Sequence, residues 1–165
     1  MVNFLHNITA LAGVATLVNI ADFKSQLINL SGSGSAVGTP IISFPRTAGA
    51  ENQDWMIIPQ ADGTTFTIQS LAQPALFVSY ATVLGEAGPA VNSQTVGSLS
   101  NPIVFKMQTV GSGPKVNLID TATGLALTSW VNADAVTYAS PSTPVTMEAL
   151  NNPLSFMQSF TVTGS

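Results

Sequence analysis

Acid–base and nucleophilic chemistry has little to work with in this chain. Its one histidine is His6, near the start, and it has no cysteine. Thiolate catalysis, disulfides and cysteine-ligated metals are therefore excluded, and no Ser-His-Asp arrangement is expected. The eight acids, Asp22, Glu51, Asp54, Asp62, Glu86, Asp120, Asp134 and Glu148, fall mostly in loop-like stretches. Their spacing marks no glycosidase pair. "SGSGSAVG" (31–38) is glycine-rich but lacks the lysine and the strand-to-helix setting of a phosphate loop. What remains is amides, hydroxyls and a few rings, which suit noncatalytic recognition and require no cofactor or metal. The densest such group is "AENQDWMIIP" (50–59), where Gln53 and Trp55 stand two apart ahead of an apolar run.

Charge narrows the partners. Four basic residues (Lys24, Arg46, Lys106 and Lys115) face eight acidic ones, for a net charge of −4 and a pI near 4.5. Phosphate backbones are bound by clustered Lys and Arg, and these four are scattered, which argues against nucleic acids and anionic membranes. Charged residues are 7% of the chain, where about a quarter is usual. Mean hydropathy is +0.37, so the surface must rely on Ser, Thr, Asn and Gln. Part of it is expected to be covered by a second copy or a companion protein. No basic residue precedes Lys24, so the apolar run "ITALAGVATLVNIA" (8–21) lacks the flank of a secretion signal. It is also too short and too punctuated to span a bilayer. The expectation is a cytoplasmic protein without membrane insertion.

The elements that must position the amides are strands. "TTFTIQS" (64–70), "ALFVSYATV" (75–83), "IVFKMQTV" (103–110), "KVNLID" (115–120), "LALTSWV" (125–131) and "FMQSFTVT" (156–163) are short, apolar and often alternating, with Gly, Pro, Ser and Asn between them. No stretch after residue 20 holds a helical period for three turns. The one helical candidate is the start, where Phe4, Leu5, Ile8, Leu11 and Ala12 share a face; an irregular extension fits it equally. "GSGSAVG" (32–38) and "SPSTP" (140–144) are expected as surface loops. Trp130, the other tryptophan, sits just past a strand. It either seals a barrel end or forms an exposed platform with Asn132 and Asp134.

Self-comparison finds a threefold repeat. Each unit opens on a strand, "VNI" (18–20), "FTI" (66–68) or "VNL" (116–118), followed by a second, "INL" (28–30), "LFV" (76–78) or "LAL" (125–127). Each passes a proline with an apolar follower, Pro40-Ile41, Pro89-Ala90 and Pro144-Val145, and closes on an aromatic, Trp55, Phe105 or Phe160. The closing residues are 50 and 55 apart (105 − 55, 160 − 105). "QDW" closes the first unit and "QSF" (158–160) the third, while "IVF" (103–105) keeps the ring and loses the glutamine. Three repeats of about 50 residues with about four strands each imply an all-β, closed, pseudo-threefold barrel. The closing aromatics belong in its core, with each glutamine bonding backbone beside them. The units run over about 13–60, 61–111 and 112–165 of a single domain, with residues 1–12 as an N-terminal extension.

This pattern resembles the β-trefoil over about residues 13–163, and specifically the ricin-B-like (R-type) lectins with their Gln-x-Trp repeats. "INLSGSGSAVGTPIISFPRTAGAENQDW" (28–55) is closer still to the fungal, mushroom-type branch, which reads Ile-Asp-Leu-Ser-Gly, then Gly-Thr-Pro-Ile, an aromatic shortly after, and Asn-Gln-x-Trp. The resemblance implies one shallow sugar site per repeat: polar groups for the hydroxyl rim of a pyranose and a flat ring for its C–H face. Carried over, it assigns carbohydrate binding in the first repeat to Asn29, Phe44, Asn52 and Gln53, with glycans of the galactose or N-acetylgalactosamine type as partners. The chain departs from the family at Asn29, where a neutral amide replaces the charged acceptor Asp, and charge-assisted bonds are about twice as strong as neutral ones. In the other repeats the Asp position becomes Phe77 and Ala126, and the aromatic position falls near Ser93 and Glu148, so no site is expected there. Two alternatives share the fold. One is a companion subunit with degenerate sugar sites, like the light subunit found with mushroom tyrosinase. The other is a trefoil protease inhibitor using the segments 84–102 and 132–143 as projecting loops.

Overall fold

The computed structural model describes residues 14–81, 93–131, 141–150 and 156–165. These hold twelve strands: β1 Thr16–Ala21, β2 Leu27–Leu30, β3 Ile41–Phe44, β4 Trp55–Pro59, β5 Phe66–Ser70, β6 Phe77–Tyr80, β7 Ser93–Ser98, β8 Phe105–Thr109, β9 Lys115–Asp120, β10 Leu125–Ser129, β11 Thr143–Ala149 and β12 Phe160–Gly164. Six of them form a closed antiparallel ring, β1–β4–β5–β8–β9–β12, with β12 returning to β1. The other six pair as hairpins β2–β3, β6–β7 and β10–β11. The hairpins meet one another through β11–β3, β11–β7 and a bridge from Pro40 to Val96. A barrel with three hairpins against it is the β-trefoil that the repeat implies.

Strand register reproduces the repeat residue by residue. Trp55 faces Val18, Phe105 faces Phe66 and Phe160 faces Val116. Each closing aromatic thus lies opposite the residue that opens its own unit. All three are at most 1% exposed and belong to one apolar cluster with Ile20, Ile68 and Leu118. Phe66 and Phe105 stack at 6.1 Å between centroids, and the Trp55 indole donates to Ile28 O at 2.9 Å. A buried ring whose N–H has a partner costs nothing in lost hydrogen bonding.

Several sequence expectations change here. Ser93–Ser98 is strand β7, with Thr95 and Val96 buried, so 84–102 is not one long loop. Thr143 and Pro144 lie in β11 opposite Ser43 and Ile42, so "SPSTP" is not wholly a loop and 132–143 ends in strand. Residues 156–158 form a turn, and β12 starts only at Phe160. The N-terminal helical candidate with His6, the Pro89-Ala90 step, Glu86, and the pair Asn132 and Asp134 lie outside the described residues.

Candidate functional site

The first hairpin carries the concavity of interest. β2 and β3 pair so that Asn29 faces Ile42 and Leu27 faces Phe44. A short 3-10 turn, Ser31–Ser33, follows β2, and a second, Glu51–Gln53, precedes β4. Between these pieces lies a hollow of about 400 Å³ lined by Asn29, Ser31, Gly32, Ile42, Phe44, Thr47, Ala50, Asn52 and Ser142. Phe44 is half-buried at its edge. Three of the four residues picked from the sequence, Asn29, Phe44 and Asn52, therefore share one lining.

The fourth, Gln53, lies behind the lining rather than in it, and is buried. Its Oε1 accepts the Thr47 N–H at 2.8 Å and its Nε2 donates to Pro45 O at 2.8 Å. Gln53 thus clamps the segment leaving β3 at Phe44, fixing a loop that offers no regular partners of its own. Asn19 supports Gln53 in turn, donating through Nδ2 to Gln53 O at 3.0 Å and to Asp54 Oδ1 at 2.6 Å. On the hollow side, Asn52 Nδ2 donates to Leu30 O at 3.1 Å and to Asn29 Oδ1 at 3.2 Å. None of the lining residues titrates, so the hollow is neutral. It can hold a small polar ligand through amide and hydroxyl hydrogen bonds, with the Phe44 ring as a platform.

The third repeat keeps the clamp without the hollow's polar set. Asn117 Nδ2 donates to Gln158 O at 2.8 Å, and Gln158 Nε2 donates to Ala149 O at 3.0 Å and Thr128 Oγ1 at 3.2 Å. In the second repeat Thr67 and Ile103 stand where these pairs are, so both halves of the clamp are absent together. Phe77 faces Ser98 and Ala126 faces Glu148, as Asn29 faces Ile42. Two residues further on from those partners come Ser100, Leu150 and Phe44 (98 + 2, 148 + 2, 42 + 2). The register therefore places Ser100 and Leu150, and not Ser93 and Glu148, against Phe44. Trp130 is half-buried and its indole donates to Thr146 Oγ1 at 2.8 Å, which anchors it in the third hairpin.

Ser142 was not visible to sequence reasoning because it enters from another repeat. It reaches the hollow because the first residues of β11 pair with β3. Ser31, Gly32, Thr47 and Ala50 sit inside the motif, but as small turn residues they carried no distinguishing signal.

No protein-family model matches the chain, and no curated protein matches it. Solved structures do. The Rhizoctonia solani agglutinin is similar with TM-score 0.72 and 18% identity, over 92% of this chain and 96% of its own. The Macrolepiota procera ricin B-like lectin, solved with lactose, gives TM-score 0.66 and 20% identity over 91% and 96%. The designed threefold-symmetric protein ThreeFoil gives 0.70 and 11% over 90% and 99%. At these identities the likeness carries the architecture alone: the chain is a β-trefoil, a fold it shares with these two lectins and with ThreeFoil.

Proposed function

We propose that this protein is a noncatalytic, carbohydrate-binding lectin with one weak sugar site in its first repeat, formed by Asn29, Phe44 and Asn52 and held in shape by Gln53. The observation that carries the reading is the convergence of Asn29, Phe44 and Asn52, 23 positions apart at their extremes (52 − 29), on one hollow. Lactose, N-acetylgalactosamine and 6'-sialyllactose stand in the solved structures of similar trefoils, which supports glycans as the ligand class. Weak binding at one site follows from chemistry, because hydroxyl hydrogen bonds replace equivalent ones to water. Firm attachment to a glycan-coated surface would then need linked copies.

The test is a broad glycan array probed with the purified protein and with Phe44→Ala. Binding to a defined glycan class that vanishes in a folded Phe44→Ala variant supports the site. Unchanged affinity in the variant sinks the assignment. Silence across the array turns the reading toward a companion subunit, for which co-purification from the source would be the next measurement.

A further inference from the structure

The hollow has a polarity that its hydrogen bonds fix. Leu30 O can only accept, so the Asn52 atom that meets it is Nδ2. The same Nδ2 meets Asn29, which makes the Asn29 atom there Oδ1. Two groups are then left over, the Asn29 Nδ2 with two N–H bonds and the Asn52 Oδ1. Asn29 is only 5% exposed. Among the described residues every side-chain polar atom shut off from solvent has a partner. The unpartnered Asn29 Nδ2 must therefore open to solvent, on the hollow that Asn29 lines.

The lining thus sets an N–H donor beside a carbonyl acceptor, with Ile42 and Phe44 as apolar wall and no carboxylate. A pair of adjacent sugar hydroxyls is best gripped by a carboxylate, which accepts from both. Asn29 has one oxygen where a carboxylate has two, and with Asn52 already on it the group left wholly without a partner is the Nδ2 donor. The complement of this lining is an acetamido group. Its C=O accepts from Asn29 Nδ2, its N–H donates to Asn52 Oδ1, and its methyl meets the apolar wall.

We infer that this site, taken as the sugar site proposed above, selects its ligand through the 2-acetamido group of an N-acetylhexosamine and is indifferent to the configuration at C4. The gluco and galacto forms of the acetamido sugar bind alike, and both outbind their parent hexoses.

The test follows the side-chain amide resonances of Asn29 and Asn52 in the isotope-labelled full chain. The probes are the methyl β-glycosides of N-acetylglucosamine, N-acetylgalactosamine, glucose and galactose. Two net hydrogen bonds correspond to at least about fivefold in Kd, so the acetamido sugars should bind that much more tightly than their parents and within about threefold of each other. Parent hexoses binding as well as acetamido sugars would overturn the inference, as would a galacto preference beyond about threefold; either leaves the lectin reading standing. Four silent sugars would overturn the inference, and the glycan array would then decide whether the lectin reading falls with it. Asn29→Asp restores the carboxylate and is expected to bring the acetamido preference below about threefold. Asn29→Leu, which keeps the shape without either polar atom, serves if the aspartate variant does not fold, and is expected to lose the preference as well.

Discussion

At the scale of single residues, Gln53 and Trp55 explain why a glutamine and a tryptophan stand two apart. Trp55 opens β4 and fills the barrel, while Gln53 ends the 3-10 turn just before it and, also buried, bonds back onto the Pro45–Thr47 backbone. Trp55→Ala is expected to cost about 3–5 kcal/mol in thermal or urea unfolding, as for other large buried aromatics. Gln53→Ala strips partners from Thr47 N and Pro45 O and should cost about 1–3 kcal/mol. It should also weaken glycan binding, although Gln53 does not line the hollow. Equal binding by that variant would show that the clamp does not hold the site. Because no lining residue titrates, glycan affinity should be flat from about pH 5 to about pH 8, where carboxylates and lysines keep their charge. A bell-shaped or stepped profile in a calorimetric titration would count against this lining. Gln53 was legible because the repeat returns it as Gln158, and Asn29 and Asn52 because the first repeat resembles the ricin-B-like lectins. The polarity of Asn29 was not, since it depends on which atom of Asn52 reaches Leu30 O.

At the scale of elements, a buried carboxylate joins the hairpins. Asp22, in the turn between β1 and β2, accepts Lys24 N–H at 2.8 Å and Gln26 N–H at 3.0 Å through Oδ1. Its Oδ2 accepts Ser43 Oγ of β3 and Ser129 Oγ of β10, each at 2.6 Å, with Lys24 Nζ at 3.3 Å. One side chain thus fastens the first hairpin to the third, on the strand that ends in Phe44. Removing one partner from such a buried charged network typically costs about 3–5 kcal/mol, which is the expected loss for Asp22→Ala in urea unfolding. A loss under about 1 kcal/mol would mean that the serines and Lys24 find water instead. Strands β5, β9 and β10 were readable because apolar residues alternate along them between turn residues, Phe66 with Ile68, Val116 with Leu118 and Leu125 with Leu127. β7, "SQTVGS", was not, since it has one large apolar residue and a glycine. Packing favours that glycine, as a Cβ on Gly97 would sit tightly at 3.0 Å from Leu76 Cδ1 and 3.2 Å from Leu30 Cδ1, whose side chains would have to give way. The strand is specified by neighbours distant in sequence, and periodicity along its own six residues carries little of that.

At the scale of the whole molecule, closure of the barrel sets the outcome. β12 is the last strand to enter the ring, pairing with β1 through Val18↔Gly164, Asn19↔Thr163, Ile20↔Val162 and Ala21↔Thr161. On its other side it pairs with β9 through Phe160↔Val116 and Thr161↔Lys115. Without it, β1 and β9 become open edges with unpaired backbone, in a chain with few charges to discourage edge-to-edge pairing. The cluster would also lose Phe160 and Val162, buried side chains shared by all three units. Ending the chain after Ser159 removes strand, ring and closure together. The expected result is a protein that aggregates or stays unfolded by circular dichroism, and not an open barrel with a working first hairpin. A soluble, cooperatively melting product would show that the remaining strands form a stable unit without the closing strand. The sugar site would then depend on the hairpins, including the β11–β3 contact that brings Ser142 to its rim, and not on closure of the ring.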